Sequence, residues 1–223
     1  MKKFEKLEEA RAPDGTVLTL YRHDSAYYIR VNGVELMSTR RHHSEDALAE
    51  LVCGPLAVRE RPRVLIGGLG LGFTLRASLR LLPATATVTV AELIPAVIEW
   101  NRKPEYGLAH DALNDPRVEL RLADVGELLA ASPKTFDGIM LDVDNGAGAL
   151  TTAGNARLYT RGGIETAAAA LRPDGRLAYW SAEPDAAFEK ALRATGLSVE
   201  TKRVRAHESS GGMYTLFVAH RRG

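Results

Sequence analysis

The chain has 223 residues, 45% of them hydrophobic, enough to bury one substantial core and too few to make two domains the default. A formal net charge of +1 gives no electrostatic case for nucleic acid or an anionic membrane surface as partner. Cys53 is the only cysteine, which excludes an internal disulfide, and no apolar run approaches the ~18 residues that a membrane span needs.

The first six residues are followed by charges where a secretory signal would carry an apolar core, so a soluble, cytoplasmic protein is expected. Residues 1–13 read as a short helix or a disordered lead-in that ends at the turn Pro13-Asp14-Gly15. Short strands follow at 16–21, 26–31 and 34–38, the last two joined by Asn32-Gly33, a pair that tolerates positive φ in a two-residue hairpin. Arg40-Arg41-His42-His43 has no companion ligands at metal-binding spacing, so it reads as a polar linker over the mouth of a site, and no metal is expected. Ser44 reads as the N-cap of a helix from Glu45 to about Cys53, which Gly54-Pro55 ends, with Cys53 a small core residue. Residues 1–54 thus form a lead-in, a small antiparallel β element and a helix, and 55–223 form the catalytic domain.

Strand and helix then alternate. Arg63-Val64-Leu65-Ile66 is a buried strand, and the glycines after it, Gly67, Gly68, Gly70 and Gly72, remove the Cβ atoms that would hold a ligand off the backbone. A helix at 73–82 points its free amide groups at the same place. The next strand ends at Glu92, about twenty residues on, where a carboxylate can accept both hydroxyls of a ribose. The glycines alone are equally compatible with a purely structural turn. Phe73 stands where the dinucleotide fingerprint G-x-G-x-x-G has its third glycine, which favours a ligand without pyrophosphate, such as S-adenosylmethionine or a relative.

Further helices are expected at 95–101, 125–131, 164–171 and 184–194, and further strands at 118–122, 136–141 and 176–180. This order predicts a parallel sheet with helices on both faces. Residues 197–206 and 213–219 are strands separated by too short a gap for a crossover helix, so they must pair antiparallel. The result is an α/β, Rossmann-like, seven-stranded methyltransferase fold: a parallel sheet finished by an antiparallel hairpin, with a small N-terminal β element.

From about Tyr27 to His220 the chain resembles the spermidine synthases, the aminopropyltransferase branch of the class I S-adenosylmethionine-dependent methyltransferase superfamily. The matching stretches are Val31-Asn32-Gly33-Val34, residues 64–76, Val90-Ala91-Glu92, Asn101-Arg102, Asp115-Pro116-Arg117-Val118 and Ala123-Asp124. They continue with Phe136-Asp137-Gly138-Ile139-Met140-Leu141-Asp142, Leu171-Arg172-Pro173-Asp174-Gly175 and Ser210-Gly211-Gly212. The resemblance implies that Glu92 holds the ribose, Asp124 accepts from the adenine amino group, and Asp142 faces the amine substrate. Chemistry agrees, since all three acids fall at the C-terminal ends of successive strands, where open α/β sheets bind ligands.

The chain departs from the family at several places. Leu71 stands where the glycine loop of the family carries an aspartate, and a carboxylate there would attract the bare amine of decarboxylated S-adenosylmethionine. Asp142-Val143-Asp144-Asn145-Gly146 keeps the first acid of the family's Asp-Ser-Ser-Asp-Pro and moves the second, while Glu45 and Glu208 replace tyrosines. The leading expectation is a transferase that moves an aminopropyl group from decarboxylated S-adenosylmethionine to a polyamine-type amine, with Asp142 as general base and Asp144 helping to hold the cation. The rivals are a methyltransferase that uses S-adenosylmethionine on a small acceptor, and a nucleoside-binding protein without catalysis. Trp180 reads equally as a wall of the acceptor site or as a core edge, and His207 as a solvated loop residue. Oligomeric state is not readable, and the family's tendency to dimerise makes a homodimer the arrangement to test.

Overall fold

A small antiparallel sheet is built from β1 (Glu5–Arg11), β2 (Val17–His23), β3 (Ala26–Val31) and β4 (Val34–Ser38), paired in chain order. The computed structural model describes residues 4–12, 15–143, 155–207 and 211–221. Asn32 (φ 48) and Gly33 (φ 85) turn β3 into β4, with Val31 opposite Val34. The lead-in, expected as helix or disorder, is strand β1. It lies at the edge of its sheet, so its charged side chains stay in water and pair across or along the strand, Glu5 with Arg22 and Lys6 with Glu9.

Helix α1 (His43–Cys53) begins earlier than its sequence signals suggest. Ser44 does not cap it, because the hydroxyl donates to the neighbouring Glu45 carboxylate. In the stretch before it, His42 bonds Asp46 at 2.7 Å and stacks on Phe73 with ring centroids 4.5 Å apart. Cys53 is fully buried, and burial pushes its thiol up to about 12, which makes it unreactive.

The main sheet comprises β5 (Arg63–Gly67), β6 (Thr87–Glu92), β7 (Val118–Leu122), β8 (Phe136–Leu141), β9 (Leu171–Ser181), β10 (Ser198–Arg205) and β11 (Met213–His220). Their spatial order is β10-β11-β9-β8-β5-β6-β7. Strands β5 to β9 run parallel, and β11 runs antiparallel to both β9 and β10. The seven-stranded arrangement with its closing hairpin is the expected one. Helices α2 (Phe73–Leu81), α3 (Pro95–Arg102), α4 (His110–Leu113), α5 (Val125–Ala130), α6 (Arg161–Ala170) and α7 (Ala186–Ala194) supply the crossovers.

Both faces of the sheet are buried, and alternate residues of one strand serve different cores. Val64 and Ile66 join Leu48, Leu75, Trp100 and the inner face of the small sheet, Leu18, Leu20, Ile29 and Val31. Leu65 joins Leu129, Ile164, Phe188 and Phe217 on the other side. Strand order reverses between β5 and β8, and the crevice at their C-terminal ends is the place where such sheets receive ligands.

Candidate active site

The glycine loop leaves β5 at that crevice and is held in shape by Glu92, at the end of β6. The Leu69 amide donates to Glu92 Oε2 at 2.9 Å and the Ile94 amide to Oε1 at 2.8 Å. The carboxylate is 7% exposed; burial raises its pKa above the usual carboxylate value, and the surrounding backbone amides oppose that rise. Asn101, from α3, ties the loop from the other side by donating to Gly70 O and to Val97 O, both at 2.8 Å.

Gly68 (φ 88) faces the cleft, and a Cβ there would collide with the carbonyl oxygen of Asp142. Gly68→Ala is therefore expected to cost about 1–3 kcal/mol in backbone strain and to push β5 and β8 apart at the crevice. The check is a thermal melt together with nucleoside binding, both of which should fall. Gly70 (φ 52) lies under the N-terminal sheet, its missing Cβ 3.0 Å from Met37 Sδ. Gly72, grouped above with the ligand glycines, does not line the cleft: it is the N-cap of α2, and a Cβ would strike Ala109. Its positive φ and tight packing explain the glycine without a ligand.

The cleft is a concave space between the small sheet and the glycine loop. Leu18, Ile29, Leu36 and Met37 of the small sheet form an apolar wall, Gly68 and Gly70 the floor, and Glu92, Asp124 and Asp142 contribute carboxylates to its lining. Asp124 caps α5 by accepting from the amides of Gly126 at 2.7 Å and Glu127 at 3.2 Å, and it also pairs with Arg157. These three contacts all fall on Oδ1.

Beside this cleft lies a second cavity, lined by Glu45, Leu71, Phe73, Thr74, Asp142 and Trp180 among others. Met37, Gly70, Asp142 and Val143 border both spaces, so Asp142 stands where they meet. Thr74 Oγ1 donates to Asp142 Oδ2 at 3.0 Å. Burial pushes the Asp142 carboxyl up to about 6, with the Thr74 bond acting the other way. Trp180 belongs to both of its expected settings, being 8% exposed within the core and also a wall of this cavity. His207 is an exposed residue of a separate outer groove. Asp144, with Glu208 and Ser210, lies outside the described residues.

Nothing local in the sequence singles out Thr74 or Arg157, whose roles depend on contacts 68 residues away to Asp142 and from a distant segment to Asp124. Glu45 stood out only as a departure from a tyrosine.

With this geometry in hand, residues 48–192 match the spermine/spermidine synthase domain. The chain belongs to that family. It is 30% identical over 159 residues to the spermine synthase of Arabidopsis thaliana, an alignment that takes in 69% of this chain and 42% of the relative. The chain thus spans less than half the length of that curated relative. Among solved members, a spermidine synthase in complex with the transition state analogue AdoDATO superposes with a TM-score of 0.80 at 19% identity, over 99% of this chain and 75% of that one. The spermidine synthase of Thermotoga maritima gives 0.76 at 20% identity, over 99% and 74%. At those identities the likeness is one of fold, and the family's seven-stranded sheet with a small antiparallel N-terminal sheet is the architecture seen here.

Proposed function

We propose that this chain transfers an aminopropyl group from decarboxylated S-adenosylmethionine to a small polyamine-type amine. The observation that carries the reading is the position of Asp142, a carboxylate at the junction of the cleft beside the glycine loop and a second cavity. In this reading Glu92 accepts the ribose hydroxyls, Asp124 accepts from the adenine amino group, and Gly68 and Gly70 let the thioether segment approach the backbone. The acceptor arrives as an ammonium with a pKa of ~10 and cannot attack until it loses a proton. Asp142 takes that proton, and the freed lone pair attacks the methylene beside the sulfonium. The C–N bond forms as the C–S bond breaks, the bonding pair stays on sulfur, and neutral methylthioadenosine leaves. Little covalent chemistry is asked of the protein, so alignment of the two substrates supplies much of the rate.

A second reading, methyl transfer from S-adenosylmethionine, is favoured by Leu71, which puts no negative charge in the glycine loop to reject a methionine carboxylate. The two readings separate in one assay. Incubation with decarboxylated S-adenosylmethionine and 1,3-diaminopropane, 1,4-diaminobutane or spermidine is expected to yield methylthioadenosine and an aminopropylated amine in equal amounts by mass spectrometry. A methylated acceptor from S-adenosylmethionine, with no methylthioadenosine from the decarboxylated donor, would replace the first reading by the second. Stabilisation by methylthioadenosine with no product from either donor would leave a binding protein.

A further inference from the structure

Glu45 is the acid of the second cavity that the proposed reaction leaves without a task. It sits in the first turn of α1, partly buried, with Ser44 donating to it. The arginines of its surroundings are engaged elsewhere, Arg41 with Glu35 and Arg80 with Asp46. Across the cavity it meets Asp142, and burial together with that facing carboxylate pushes the Glu45 carboxyl up to about 8. Two carboxyl groups are thus held toward each other, and among the described residues no cation of the chain joins them.

A second observation on the same cavity is independent of those charges. Trp180 closes one wall, 8% exposed, and its buried Nε1–H has no acceptor among the described residues. A buried N–H of this kind calls for an acceptor from an occupant; an ammonium only donates, so this donor speaks for a polar ligand in the cavity and not for the ligand's charge. The remaining lining, Leu36, Met37, Leu71 and Phe73, is apolar or aromatic and suits the methylene chain between polar ends.

We infer that Glu45, opposite Asp142, is a specificity-determining residue that seats an aliphatic primary ammonium and supplies from α1 the negative charge that the glycine loop lacks at Leu71. This inference rests on the reading of the cavity as the place of alkyl transfer. The ammonium has two sources, the terminal amine of the donor's aminopropyl arm and the amine of the acceptor, and both present the same group to a carboxylate. If the donor's amine is the one held, the same charge repels the carboxylate of undecarboxylated S-adenosylmethionine.

The test is titration calorimetry on Glu45→Gln, which keeps the shape of the side chain and removes its charge. The probes are methylthioadenosine, decarboxylated S-adenosylmethionine, and 1,4-diaminobutane with and without methylthioadenosine. The expected result is unchanged affinity for methylthioadenosine and a loss of about tenfold or more for one of the ammonium ligands, whichever falls naming the source. Glu45→Asp should recover part of that loss. The ligand-free Glu45→Gln protein should melt no lower than the parent, since burial and the facing Asp142 penalise ionisation of the parent's Glu45 and the amide has no such cost.

Equal binding of both ammonium ligands by parent and variant overturns the inference. So does a uniform loss that includes methylthioadenosine, which would mark Glu45 as structural. A parent that binds no methylthioadenosine removes the nucleoside reading instead. The diamine titration then decides the role of Glu45 alone, and a parent that binds no diamine either overturns it.

Discussion

Asp142→Asn is expected to lower turnover by roughly 100- to 10,000-fold, the usual contribution of a positioned general base, while methylthioadenosine still binds. An amide oxygen can accept from Thr74 Oγ1 as Asp142 Oδ2 does, so the local bond and the wall of the cleft survive. What is lost is the capacity to take a proton from the incoming ammonium. Because burial holds the parent carboxyl at about 6, kcat/KM should fall as pH drops through that value, and this acid limb should be absent from the variant's residual rate. The stability effect has the opposite direction. A carboxyl raised from 3.8 to about 6 binds its proton more tightly in the folded chain than in the unfolded one. Ligand-free stability therefore declines as pH rises through that window, and the variant should show a flatter profile in thermal melts. Normal turnover in the variant would refute the assignment of Asp142 as base.

Glu92→Ala should abolish stabilisation by methylthioadenosine and weaken the fold as well. The carboxylate receives the buried amides of Leu69 and Ile94, and each amide left without an acceptor costs about 1–3 kcal/mol. The loop that these bonds shape is the floor of the cleft, so its loss compounds the loss of the ribose contact. Glu92→Gln separates the two effects. Its single amide oxygen can keep one of the backbone bonds, so melting should recover in part while the ligand-induced shift stays small. A ligand-induced shift as large in Glu92→Ala as in the parent would remove Glu92 from the nucleoside site.

The main sheet was legible because its strands are short β-branched runs closed by glycine, proline or an acid. Val64 to Ile66 and Val88 to Val90 are buried on both faces, and this leaves an unbroken apolar signature in the sequence. Strand β1 was not legible, since Glu5, Lys6, Glu8, Glu9 and Arg11 obscure any alternation. Its order comes from pairing with β2 and from Glu8, which reaches Lys103 and Tyr106 at 2.6 Å across 95 and 98 residues. The start of α1 was misread for a local reason: the Ser44 hydroxyl, a good cap by type, is taken by Glu45. The expected helix ends at Leu171 and the expected strand begins at Arg176, yet residues 171–175 extend β9, with Leu171 opposite Phe136, a shift of register, and Asp174 at φ 59.

The acids were legible for a different reason from the strands. Glu92 ends β6, Asp124 comes just after β7 and Asp142 directly follows β8, so topology alone brings them to one edge. The division of the glycines was not readable. Gly68 and Gly72 share a positive φ and similar neighbours in sequence, and only the approach of Asp142 to one and Ala109 to the other tells them apart.

The seat of Met37 above Gly70 ties the small sheet to whatever fills the cleft. An occupant pressed between β2, β3 and the glycine loop would act as mortar, adding to the apolar cluster and to the Glu8 bonds to Lys103 and Tyr106 that already join the small sheet to the rest. In the proposed reading, the grip of β2 and β3 on the glycine loop would thus help set how long the product stays.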